Sequence, residues 1–281
     1  MLVHSAASEV RNAVRRQRRA GYSVGVVPTM GALHAGHVSL IEAARRKSDF
    51  VVATIFVNPT QFGPHEDFDK YPRTLDADLD KCRLAGADLV FTPEVSAMYE
   101  GDAETIVRVT KTTQVLEGEK RPEHFQGVTT IVAKLFHITE PDQAYFGQKD
   151  YQQQLVIRRM VRDLDWGIQI VTCPIIREAD GLAMSSRNRY LSADDRQRAL
   201  VLSQSLQRAA ALAEEDRSPA EIEAEMQARI SSVPGVVLDY AVVRDAETLL
   251  TPAAGCPQAV ALGAARVGDT RLVDNQILRV R

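Results

Sequence analysis

Short runs of β-branched and other apolar residues alternate with stretches of helical periodicity along the first part of the chain, and this alternation narrows the possible folds more than any other feature. Val24-Gly25-Val26-Val27 is closed by Pro28-Thr29-Met30-Gly31 and reads as a buried strand entering a tight loop. Residues 50–57 are apolar almost without interruption until Asn58-Pro59. A strand with no polar face is covered on both sides, as the strands of a parallel sheet are. Further strands are predicted over 88–91, 106–109, 144–146 and 168–171. Helices are predicted over 37–44, 75–84, 127–138 and 149–164, the last with Leu155, Met160 and Leu164 facing inward. The pattern is that of a Rossmann-like, doubly wound α/β sheet. Right-handed crossovers put the strand C-terminal ends on one edge, where ligands bind in such sheets.

The pattern changes after Ile176. Residues 192–214 form an Ala- and Leu-rich helical stretch with Ser192 as N-cap, and Pro219 starts another helix to about Ile230. Short strand-like runs follow at 236–238, 259–262 and 271–273. The expected division is a Rossmann-like domain over 1–175 and a smaller α+β domain over 176–281.

A formal net charge of -3, with 45% hydrophobic and 25% charged residues, fits a soluble globular chain and argues against one built to coat nucleic acid or an anionic membrane. The arginines between Arg11 and Arg19 read as the solvated face of a helix whose Val10 and Val14 face a core. No run is long and apolar enough to span a bilayer, the first ten residues lack the apolar segment of a signal peptide, and Cys82, Cys173 and Cys256 are sparse and far apart. A cytoplasmic protein is expected.

Four loops carry the candidate chemistry. The first is Pro28-Thr29-Met30-Gly31-Ala32-Leu33-His34-Ala35-Gly36-His37, where a strand passes through a glycine-containing turn into a helix. A helix N-terminus suits phosphate, and two histidines three residues apart face the same way. The pair can be read as zinc ligands, as ordinary polar residues beside a core, or as the H-x-G-H motif of nucleotidylyl transferases, whose imidazoles donate to charge developing on phosphate. The second is 184–188, Met-Ser-Ser-Arg-Asn, where hydroxyls, backbone N–H groups and the Arg187 guanidinium suit a phosphate clamp. It resembles the K-M-S-K-S loop of class I tRNA synthetases but departs from it, since the basic residue after the serines is Arg187 instead of lysine. The third is 146–153, Phe-Gly-Gln-Lys-Asp-Tyr-Gln-Gln, in which Lys149 suits triphosphate charge and Asp150 suits ribose hydroxyls. The fourth is 56–63, Phe-Val-Asn-Pro-Thr-Gln-Phe-Gly. There Gln61, like Gln153 of the third loop, offers a neutral donor and acceptor to a small hydroxy acid.

These segments in this order, together with Tyr71-Pro72-Arg73 and residues 124–128, His-Phe-Gln-Gly-Val, resemble the pantothenate synthetase (pantoate–β-alanine ligase) family. The resemblance covers the whole chain, although the last hundred or so residues match in length and layout more than in motif. It implies an ATP-dependent ligase that joins pantoate to β-alanine through a pantoyl-adenylate, releasing AMP and pyrophosphate. It also implies Mg²⁺ and a cytoplasmic homodimer; because an acyl-adenylate must be shielded from water, the smaller domain, carrying Met184 to Arg187, is expected to close as a lid. By the same resemblance, Met30, Gly31, Ala32, Leu33, His34, Ala35, Gly36, His37, Gly147, Gln148, Lys149, Asp150, Ile176, Met184, Ser185, Ser186 and Arg187 are expected at ATP. His37 is expected as proton donor, with His34 and Lys149 also catalytic. Gln61 and Gln153 are expected at pantoate, with Gln61 near β-alanine, and no metal ligands are expected from the protein alone.

Overall fold

Side-chain alternation along six strands builds two cores, one on each face of a single parallel sheet. In the computed structural model, which describes every residue except His65, Asp102, Ala254, Val280 and Arg281, these strands are β1 (Leu2–His4), β2 (Val24–Thr29), β3 (Phe50–Ile55), β4 (Leu89–Phe91), β5 (Gln143–Gly147) and β6 (Gln169–Cys173). Their order is β1-β4-β3-β2-β5-β6, and every neighbouring pair is parallel. Val24, Val26, Phe50, Val52, Leu89, Phe91, Ala144 and Phe146 point into one core with Val10 and Val14 of helix α1 (Ala7–Arg19). Val27, Val51, Ala53, Val90 and Tyr145 point into the other with Leu40 and Ile41 of α2 (Ala35–Arg45) and Cys82 of α3 (Leu75–Ala85). Two short helices, α4 (Val95–Met98) and α5 (Glu117–Lys120), precede α6 (His124–Thr139) and α7 (Tyr151–Asp163), which join the first core through Val128, Ile131, Ile157 and Met160. The expected Rossmann-like sheet is present. Its strand order reverses between β2 and β5, the point at which open α/β sheets leave a crevice at the strand C-terminal ends.

Two local expectations need correction, and one strand lies outside the expected set. Residues 106–109 form no strand. The backbone N–H of Val107 donates to Thr130 Oγ1 at 3.0 Å, and Thr129 Oγ1 donates to its carbonyl at 2.6 Å, so two threonines of α6 take the place of a ladder. On α7 the buried aliphatic positions are Val156, Ile157, Met160 and Val161, while Leu155 is half-buried and Leu164, beyond the last turn, is exposed. Finally, β1 is a three-residue edge strand whose exposed side chains give no burial pattern to read.

The chain divides into two compact units. One comprises Met1–Gly147 and Gln152–Pro174, the other Gln148–Tyr151 and Ile175–Arg281. In the second, β7 (Val236–Asp245), β8 (Ala259–Val267) and β9 (Thr270–Leu278) form an antiparallel sheet in that order. Helices α8 (Ala193–Glu214) and α9 (Pro219–Ser231) bury Leu202, Leu206, Ile222, Met226 and Ile230 against Ala259, Ala261 and Ala265 of β8. Ser192 caps α8, and Ser218 with Glu221 forms a reciprocal capping box on α9. The short segment Gln148–Tyr151 groups with this unit because Tyr151 Oη donates to Ala246 O at 2.8 Å and Asn275 holds the backbone before it.

Candidate active site

The turn after β2 has a left-handed backbone at two successive residues, Gly31 (φ 83°) and Ala32 (φ 49°). For a residue with a Cβ that conformation costs about 1–2 kcal/mol, so the surroundings must hold it. They do so with Asp78 of α3, whose side chain is only 1% exposed. Asp78 Oδ2 accepts from Ala32 N at 2.8 Å, and Oδ1 accepts from Leu33 N at 2.7 Å. Thr74 Oγ1 also donates to Oδ2 at 3.1 Å, and Lys81 Nζ lies 3.9 Å from Oδ1 while donating to Leu33 O at 2.7 Å. The N–H groups of Ala32 and Leu33 therefore serve Asp78, and both side chains are buried.

His34 follows as the N-cap of α2. Its Nδ1 accepts from Gly36 N at 3.1 Å, and His37 Nδ1 accepts in return from His34 N at 3.4 Å. The ring centroids are 4.1 Å apart. A ring nitrogen that accepts a hydrogen bond carries no proton, so in each neutral imidazole the proton sits on Nε2. Among the described residues no group of three or more His, Cys, Asp or Glu side chains is arranged to hold a metal ion.

Gln61 ends a 3₁₀ turn, Pro59–Gln61, after β3. Its Oε1 accepts from Asn58 Nδ2 at 3.2 Å, and its Nε2 lies 3.0 Å from Met30 Sδ. Its backbone carbonyl accepts from His124 Nδ1 at 2.8 Å and from Arg121 Nη2 at 3.2 Å. A carbonyl can only accept, so the His124 proton is on Nδ1, the opposite tautomer from His34 and His37. The packed surroundings of the His124 ring, and then the Arg121 guanidinium, push its pKa down to about 4 and keep it neutral. Arg121 is itself gripped by Glu66 through two bonds of 2.5 and 2.6 Å. Burial of Glu66 raises its pKa, but Arg121 outweighs this and lowers it overall. Asn58, only 1% exposed, also donates to Gly127 O at 3.2 Å and accepts from Tyr99 Oη at 2.8 Å.

Of the three glutamines that open α7, Gln152 and Gln154 are buried and committed. Gln152 donates to Thr112 O and Val115 O and accepts from Glu117 N. Gln154 accepts from Arg158 and Thr172. The Gln153 side chain, half-buried, makes no hydrogen bond to another side chain or to backbone among the described residues.

In the second unit, Asn275 of β9 exchanges bonds with the loop that follows Gly147. Its Nδ2 donates to Gln148 O and Lys149 O, both at 2.9 Å, and its Oδ1 accepts from Gln148 Nε2 at 3.1 Å. Lys149 Nζ lies 3.6 Å from Asp150 Oδ1. The segment from Ile176 to Met184 folds back on itself, with Met184 N donating to Ile176 O at 2.9 Å and Glu178 N to Leu182 O at 2.8 Å. Arg177 braces it by a fork onto the buried Asp274. Ser185 then caps the 3₁₀ turn Ser186–Tyr190 by accepting from Arg187 N at 3.3 Å.

The anchors missed in the sequence are Asp78, Lys81, Asn58, Arg121, Glu66, His124 and Asn275. Asn58 and His124 lie inside recognisable motifs. The others stand in ordinary-looking helix, strand or loop positions and offer no local signal.

A parallel sheet with a strand-order switch, and polar loops at its C-terminal edge, defines a Rossmann-like α/β enzyme with a small antiparallel second unit. A family model described as pantoate-beta-alanine ligase matches residues 2–277. A pantothenate synthetase from Moorella thermoacetica is 50% identical over 272 residues, 96% of each chain. The crystal structure of pantothenate synthetase from Thermus thermophilus matches with a TM-score of 0.94 at 45% identity, over 98% of this chain and 99% of that one. A pantoate-beta-alanine ligase from Francisella tularensis, complexed with beta-gamma ATP and beta-alanine, matches with a TM-score of 0.79 at 30% identity, over 99% of this chain and 97% of that one. The chain belongs to the pantoate–β-alanine ligase family.

Proposed function

We propose that this ATP-dependent ligase condenses pantoate with β-alanine in two steps on the residues described above. A carboxylate oxygen of pantoate attacks the α-phosphorus of ATP, the bond from that phosphorus to the β-phosphate oxygen breaks, and pyrophosphate leaves. The β-alanine amine then attacks the acyl carbon of the pantoyl-adenylate. The acyl C–O bond breaks, AMP leaves with that oxygen, and the amine loses a proton. Such chemistry depends on positioning and on fixed donors aimed at developing charge.

The observation that carries the reading is the backbone grip on the His34 and His37 rings at the start of α2. A backbone N–H donates to each Nδ1, which fixes both rings and, in the neutral form, would put the proton on Nε2. His37 is proposed as proton donor, with His34 and Lys149 neutralising charge. Met30, Gly31, Ala32, Leu33, Ala35, Gly36, Gly147, Gln148, Asp150 and Ile176 are proposed as the remaining ATP surroundings. Met184, Ser185, Ser186 and Arg187 would hold the departing phosphates. Gln61 and Gln153 would hold pantoate. The free amide of Gln153 and the fixed amide of Gln61 favour that role. Mg²⁺ suits oxygen ligands and keeps much of its water, so ATP phosphates would hold it and it would screen their charge. A homodimer, a cytoplasmic location and a lid role for residues 176–281 that shields the adenylate belong to the same proposal. No described helix is long and apolar enough to cross a membrane.

The test is to supply ATP, Mg²⁺ and pantoate with and without β-alanine and to follow AMP and product mass. Equimolar AMP and pantothenate with all components is expected. Pyrophosphate release with no amide product, even with β-alanine present, would overturn the ligase reading in favour of simple nucleotidylyl transfer.

A further inference from the structure

The turn that carries His34 and His37 takes its shape from a carboxylate 45 residues or more further along the chain. Asp78 accepts from Ala32 N and Leu33 N, one oxygen to each, and receives a third bond from Thr74 Oγ1. A buried carboxylate is tolerated only while its lone pairs are occupied, and two of these donors reach it only while Gly31 and Ala32 keep their left-handed path. The shape of the turn and the satisfaction of Asp78 are therefore one condition. Gly31 fits the same demand, since a Cβ there would meet Asp78 Oδ2 and Ile55 Cγ2, each at 3.2 Å. Lys81 adds a second restraint at Leu33 O, one residue before His34. The His34 N–H in turn orients the His37 ring.

We propose that Asp78, assisted by Lys81 and Thr74, is the positioning residue that sets His34 and His37 for ATP. This rests on the reading that the turn receives ATP. The sign of the effect separates positioning from simple electrostatics. Removing a negative charge beside a polyphosphate site should strengthen ATP binding by Coulomb attraction alone. Removing the same carboxylate as a positioning group should weaken it, because an amide at that place presents a donor to one of the two N–H groups.

Asp78→Asn is the test, with ATP affinity by calorimetry and steady-state constants for all substrates. The expected result is ATP affinity weakened roughly tenfold and kcat lowered roughly tenfold, with the KM for β-alanine unchanged. ATP affinity unchanged or tightened in the folded variant overturns the proposal. Should Asp78→Asn fail to fold, Thr74→Val decides. It removes one donor to Asp78 without altering charge, and ATP affinity should weaken about two- to threefold, whereas wild-type affinity overturns the proposal. Calorimetry decides the matter even for a wild-type chain that binds ATP without cleaving it, so failure of this inference and failure of the ligase reading remain distinguishable.

Discussion

Replacing Gly127 by alanine sets helix propensity against packing. Gly127 lies in the first turn of α6, where alanine is favoured over glycine by about 1 kcal/mol. A Cβ at that position, however, would stand 2.2 Å from Thr60 O, 2.5 Å from Thr60 C and 2.7 Å from Gln61 N. Carbon contacts are comfortable at ~3.5 Å, so helix and turn must separate by about 1 Å. The helix is anchored through Val128, Ile131 and Val132 in the core, so the 3₁₀ turn bearing Gln61 is the part that yields. Overpacking of this kind costs about 1–3 kcal/mol, more than propensity returns. A shift of about 1 Å in a substrate-positioning group can cost ~10²-fold in rate. Steady-state kinetics with varied pantoate, alongside thermal unfolding, would measure both effects. A pantoate KM raised at least about tenfold, a lowered unfolding temperature and near-normal ATP affinity are expected. A folded variant with pantoate kinetics within about twofold of wild type would refute the claim that the α6 contact positions Gln61.

Three further outcomes follow from the site. His37→Ala and Lys149→Ala should each lower kcat by ~10²–10³ with the fold retained, as circular dichroism can check, and near-normal turnover would remove the residue from its proposed role. His124 has a folded pKa of about 4 against the ordinary 6.5, so between those values the unfolded chain takes up a proton that the folded chain refuses. Stability from this group is therefore full above about pH 6.5 and lost as pH falls towards 4, by up to about 3 kcal/mol. Urea titrations at pH 7 and pH 5 should show that loss in wild type and less of it in His124→Gln. Burial, and then the Asp78 charge, push the Cys82 thiol up to about 11, so a disulfide reagent at pH 8 should leave Cys82 unmodified until the chain is denatured.

Much of the sheet was legible because its signal is local. Val24 to Val27 and Phe50 to Ile55 are buried on alternate sides, and a parallel strand covered twice needs an unbroken apolar run. Residues 106–109 show the limit of that signal. They are largely β-branched, but their partners are threonine side chains and no neighbouring strand. In the second unit the strands extend well beyond the apolar runs seen in sequence, since β8 continues through Gly263, Ala264 and Ala265, small residues with little strand signal of their own. The loops that hold the candidate chemistry were readable from their glycines, histidines and helix starts. Their supports were not. Asp78 acts 46 residues from Ala32, Arg121 acts 60 from Gln61, and Asn275 acts 127 from Gln148. A carboxylate in the first turn of a helix reads as a helix-dipole partner, and an asparagine in a strand reads as a surface residue. Only the fold brings them to the loops they hold.

The most direct measurement follows oxygen. Pantoate carrying ¹⁸O in its carboxylate would be turned over with ATP and β-alanine, and the AMP phosphate analysed by mass spectrometry. Attack by the carboxylate on the α-phosphorus predicts one ¹⁸O in each AMP and none in pyrophosphate. AMP without label would contradict a pantoyl-adenylate intermediate and the account built on it.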